Sequence, residues 1–116
     1  MEGSRGHLCP QIVREFFATA TRPVAGLIGR PGFGFAPTEA ISALTRFRAS
    51  LPMLEEDQSV ARELERLALA YDVKGKQIHD ANLVAVARRH GVKQLATFNR
   101  RDFVRFSKEI EIVVPE

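Results

Sequence analysis

Residues 77–114, QIHDANLVAVARRHGVKQLATFNRRDFVRFSKEIEIVV, decide the fold class. Ile78, Leu83, Val84, Val86 and Ala87 fall on one helical stripe, and Gly91 stands where such a helix stops. Val92 to Thr97 then reads as a buried strand. Asn99-Arg100-Arg101-Asp102 opens a short helix near Phe103 to Phe106, and Ile110 to Val114 reads as a last strand. Helix, strand, short helix, strand predicts an α/β layer with parallel strands, because a parallel pair needs a crossover between its members. Ligands of such sheets bind outside the carboxyl ends of the strands. Thr97 and Asn99 fall at that end, so the polar residues there are the first candidates for chemistry.

Working back along the chain, Asp72 to Lys76 is a polar break. Before it, Val60, Leu64, Leu67 and Leu69 predict a helix to about Tyr71, capped by Ser59 or Asp57. Leu51-Pro52-Met53-Leu54 reads as a short extended stretch, and Ala40, Ile41, Leu44 and Phe47 mark a helix with Thr38 as its cap. Residues 23–37 hold four of the eight glycines and three of the six prolines, which makes a loop. Gly32-Phe33-Gly34 lacks the strand-and-helix setting of a phosphate-binding loop. Pro10 starts an amphipathic helix that carries Ile12, Val13, Phe16, Phe17 and Ala20 to about Thr21, with Leu8-Cys9 as the end of a short strand before it.

A length of 116 residues suits one domain, and 45% hydrophobic with 27% charged residues is ordinary for a globular chain. The single Cys9 gives neither a disulfide framework nor a zinc site, which fits a reducing cytoplasm. No apolar run reaches the roughly 18 residues that a membrane span requires, so no membrane partner is expected. A net charge of +3 makes the chain mildly basic, which favours a polyanionic partner; the cations are scattered, as solvated helix faces also are.

Four residues carry the candidate chemistry, each with two readings. Glu15 sits among Val13, Phe16 and Phe17, either near the core edge or facing solvent beside Arg14. Asp80 lies in a helix's first turn, where the dipole alone favours an acid by about 0.3–1 kcal/mol, or it points into a cleft. Asn99 and Asp102 either cap the short helix or line the strand end. His7, His79 and His90 have no zinc-binding spacing.

Four phrases together resemble PIN domains, and more narrowly VapC-like toxins of type II toxin-antitoxin pairs. They are Glu15-Phe16-Phe17 with Thr21-Arg22-Pro23; Gly75-Lys76-Gln77-Ile78-His79-Asp80-Ala81-Asn82-Leu83-Val84-Ala85; His90-Gly91-Val92; and Thr97-Phe98-Asn99-x-x-Asp102-Phe103-x-Arg105-Phe106. They keep the family's order from about residue 7 to 115. The resemblance implies an α/β/α fold and a cluster of four acids that holds Mg²⁺ or Mn²⁺ for RNA hydrolysis, because hard oxygen ligands suit those ions. It further implies an RNA substrate, an antitoxin protein as partner and a possible homodimer.

By position Glu15 matches the family's second acid and Asp80 the third, and the two are expected to converge on the metal. Many relatives carry an aspartate where this chain has Asn99, and Asp102 is expected to compensate. The family's amino-terminal strand and first acid have no counterpart before Leu8. The expectation is therefore a PIN-like domain without its first strand, a depleted metal site and impaired cleavage. The alternative is a catalytically dead domain that binds an antitoxin-like partner or its own kind. Arg22, Lys76, Arg100 and Arg101 are either phosphate contacts or solvated charges.

Overall fold

A computed structural model describes residues 6–24 and 32–115. The chain divides into two compact units, Met1–Leu54 and Glu55–Glu116.

In the first unit α1 spans Pro10–Thr21, with proline at its start where no backbone N–H is needed. Just before it, Leu8 forms a parallel bridge with Met53. The Leu8 N–H donates to the Pro52 carbonyl at 2.8 Å, and the Leu54 N–H donates to the Leu8 carbonyl at 2.6 Å. The two extended stretches expected around these residues thus meet each other. Helix α2 covers Pro37–Ser50. Its cap is Ala36 rather than Thr38: Pro37 takes the first helical position, and the Glu39 carboxylate accepts the Ala36 N–H at 2.8 Å. Helices α1 and α2 pack together with Ala20, Ala40, Ala43 and Leu44 buried, and Phe16 meets Phe47 edge-to-face at 5.6 Å.

The chain before α2 returns along the end of α1. The N–H groups of Phe33, Gly34 and Phe35 donate to the carbonyls of Thr19, Arg22 and Ala20. A Cβ on Gly32 would stand 2.3 Å from the Thr19 carbonyl oxygen, so only glycine fits this approach. Residues 25–31 of the expected loop lie outside the described residues.

In the second unit α3 spans Gln58–Ala70 and α4 spans Gln77–Arg89. Asp57 caps α3, its carboxylate accepting the N–H groups of Ser59 and Val60 at 3.0 and 3.2 Å. This decides between the two residues expected there. Gly91 ends α4 with φ +73°, and the Val92 N–H turns back to the Ala87 carbonyl at 2.8 Å. Strand β1 (Gln94–Ala96), helix α5 (Arg100–Phe103), a 3-10 turn (Val104–Phe106) and strand β2 (Glu111–Val113) follow.

The two strands pair in parallel, Gln94 with Glu111, Leu95 with Ile112 and Ala96 with Val113. The α/β order expected for this region is thereby present. The strand at 92–97 is not buried as expected: Gln94 and Ala96 are exposed and Leu95 half-buried. Among the described residues β1 has β2 as its one strand neighbour in the sheet, which leaves it an edge. The unit's core lies instead between α4 and its neighbours, where Ala81, Val84, Ala85, Val86 and Ala87 are buried with Val60, Leu67, Phe103, Phe106 and Ile112. Small side chains on α4 permit close packing on α3.

Candidate functional site

The parallel pairing puts the carboxyl ends of β1 and β2 side by side, and the chain leaving β1 carries the polar residues singled out by sequence. The Thr97 N–H donates to the Val113 carbonyl at 2.9 Å, extending the ladder by one bond. The Thr97 hydroxyl then accepts the Asn99 N–H at 2.9 Å, so the backbone turns at Phe98 and delivers Asn99 to the start of α5. Asn99 occupies the cap position, but its side chain makes no capping bond; its carbonyl accepts the Asp102 N–H at 3.0 Å instead. The exposed Asn99 side chain therefore has no capping duty. Asp102 is exposed in the first turn of α5.

Asp80 is half-buried in the first turn of α4. That turn is fastened to the segment beyond α5 by Arg105, whose Nη1 donates to Gln77 Oε1 at 3.0 Å and whose Nη2 donates to the Tyr71 carbonyl. Gln77 Oε1 also accepts the Lys74 N–H at 3.1 Å, so one amide closes the loop before α4 and receives the guanidinium. One turn further into α4, Asn82 Nδ2 donates to Glu56 Oε1 at 3.3 Å. Helices α4 and α5 touch. Asp80, Asn99 and Asp102 thus lie on adjoining elements of one unit.

Glu15 lies on α1 in the other unit, exposed, its Oε2 accepting from Gln11 Nε2 at 3.0 Å. Among the described residues no three side chains of His, Cys, Asp or Glu gather into a metal-holding group. In kind the donors fit a hard divalent ion, since the carboxylates of Asp80 and Asp102 and the carboxamide of Asn99 offer oxygen. In number they fall short of the four-acid cluster that the resemblance implied.

The four expected phosphate contacts separate by environment. Arg22 is half-buried, with Nη2 donating to Thr19 Oγ1 at 3.3 Å. Lys76, Arg100 and Arg101 are exposed. The charges that sequence reading passed over form a network of their own. Glu63 binds Arg66 at 2.6 Å and Arg88 at 2.7 Å, while Glu109 binds Arg66 at 2.8 Å, Arg88 at 3.3 Å and the Tyr71 hydroxyl at 2.8 Å. The Arg66 hydrogen bond is the main cause that holds both the Glu63 and the Glu109 carboxyls below the usual range, against the opposing effect of burial. The same Glu109 contact, helped by burial, pushes the Tyr71 phenol up. The Glu63–Arg66 spacing was a visible helix pair; Glu109 carried no local signal.

A family profile described as PIN domain matches residues 2–109. No curated protein matches the chain.

Proposed function

We propose, since this chain belongs to the PIN domain family, that it is a metal-dependent endoribonuclease and the toxin half of a toxin-antitoxin pair, with impaired cleavage. The family has a nuclease-type fold and generally uses divalent metal ions, and RNA is the partner it suggests. What supports the reading is that α4, whose first turn carries Asp80, touches α5, which Asn99 and Asp102 open just beyond the end of β1.

In this reading Asp80 supplies a carboxylate ligand and Asp102 adds a second charge at the strand end, while Glu15 is the further acid that the family resemblance implies. Asn99 offers its carbonyl oxygen to a ligand water. Bound Mg²⁺ or Mn²⁺ supplies water activation and charge stabilisation at the phosphodiester. The neutral Asn99 lowers the charge available to the ion, and impairment follows from that loss.

One observation favours a second reading. The described residues gather no group of three metal ligands, as a catalytically dead domain that binds an antitoxin-like partner or its own kind would also show. Among the described residues no helix is long and apolar enough to cross a membrane.

A mixed RNA substrate distinguishes the two, incubated with Mg²⁺, Mn²⁺ or chelator and with the chain or its Asp80→Ala variant. Slow divalent-dependent cleavage that Asp80→Ala abolishes is expected. Cleavage that survives both chelator and Asp80→Ala would remove the metal mechanism. No cleavage, together with no Mn²⁺ binding by calorimetry, would favour the second reading.

A further inference from the structure

The turn that delivers Asn99 has an aromatic residue at its apex. Phe98 is 79% exposed, whereas Phe103 and Phe106, a few residues on, are buried in the core. A phenyl ring held out by the Thr97 turn gains nothing from folding, since its apolar surface stays in water. It is followed directly by Asn99 and then by the exposed Arg100 and Arg101.

The charge of these two arginines is not consumed within the described residues. Arg66 and Arg88 are neutralised by Glu63 and Glu109, and Arg105 is held by Gln77 and the Tyr71 carbonyl. Arg100 and Arg101 make no ion pair or hydrogen bond through their side chains with any described residue. An open ring beside two unspent guanidiniums matches the chemistry of a single-stranded nucleic acid, which offers a base face to stack and phosphates to pair. A duplex offers the phosphates alone, because its base faces are already stacked.

We propose that Phe98 is a stacking platform for one base of single-stranded RNA, and that Arg100 and Arg101 hold the phosphates flanking that base. This rests on the nuclease reading above and adds to it. The turn at the end of β1 selects unpaired RNA and seats one nucleotide next to Asn99.

The chain contains no tryptophan, so Phe98→Trp introduces one reporter at the apex. The probe is a mixed-sequence single-stranded RNA in chelator, where cleavage does not interfere, with the same sequence as duplex for comparison. Saturating single-stranded RNA is expected to quench the Phe98→Trp emission, and the duplex to leave it unchanged. Phe98→Ala should weaken single-strand binding about 5- to 100-fold without altering its salt dependence, as the loss of one stacked base does. Arg100→Ala and Arg101→Ala should each lower the slope of log affinity against log salt by about 0.7.

Phe98→Ala binding single-stranded RNA as tightly as the parent would overturn the platform while leaving the nuclease reading intact. Emission from Phe98→Trp that saturating RNA does not change would do the same. If the parent chain binds no RNA in either form, both readings fall. A Phe98→Ala variant whose oligomeric state changes while RNA affinity holds would show that the ring serves a protein contact, which also overturns the proposal.

Discussion

Replacing Glu109 by glutamine tests whether the charge network, rather than shape alone, ties α3 and α4 to the segment before β2. Glutamine keeps the size and one acceptor oxygen but removes the charge that faces Arg66 at 2.8 Å and Arg88 at 3.3 Å. A hydrogen bond to a charged partner contributes roughly 1.5–3 kcal/mol against roughly 0.5–1.5 for a neutral one, so the Arg66 hydrogen bond loses about 1 kcal/mol, and the Arg88 ion pair, whose Nη1 hydrogen-bonds the Glu109 main-chain carbonyl at 2.8 Å, loses less. The Glu109 side chain is only 15% exposed, but the arginines are 45% and 38% exposed, and solvent screening cuts the sum to about 1 kcal/mol. Urea denaturation at pH 7 should show that loss.

The pH dependence follows from the shifts. The Glu63 and Glu109 carboxyls lie below their ordinary value in the folded chain, so their stabilisation is complete above the unfolded value of about 4.3. It is lost as pH falls through the lower folded values. The gap between parent and Glu109→Gln should therefore close in strong acid. Tyr71 runs the other way: its folded value is raised, so its contribution is complete below about pH 10 and is lost as pH rises through the folded value. It is the chain's one tyrosine and there is no tryptophan, so tyrosinate absorbance reports it alone. In Glu109→Gln that titration should move down toward the ordinary value. A stability gap of the same size in acid as at pH 7, or a Tyr71 titration that does not move, would refute the reasoning.

Phe106, 1% exposed and edge-to-face with Tyr71 at 5.2 Å, should cost about 3–5 kcal/mol when cut to alanine, a large share of a small domain's roughly 5–15; denaturant midpoints compared with Phe106→Leu check this. Gly91→Ala meets no atom within 4 Å but forces a Cβ into φ +73°, so a loss of about 1 kcal/mol from backbone strain is expected in thermal melts. Gly91→Asn, which tolerates that region better, should lose less.

The sequence by itself settled what local pattern controls. Pro10 and the apolar spacing after it determined α1, Gly91 determined the end of α4, and the alternation of helices with short strands determined the parallel pair. Asp80, Asn99 and Asp102 were legible as candidates through the family resemblance, since a first helical turn or a strand end suits a plain capping role equally well. Contacts between residues far apart in the chain were not legible. Glu109 reaches Arg66 across 43 residues, and Gly32 is required only because the end of α1 passes beside it. Nor could hydrophobicity tell Phe98 from Phe106: the same side chain in the same basic stretch is exposed in one place and buried in the other. Burial is decided by which elements arrive at a residue. The turn held by Thr97 projects Phe98 into solvent, whereas Tyr71 closes over Phe106.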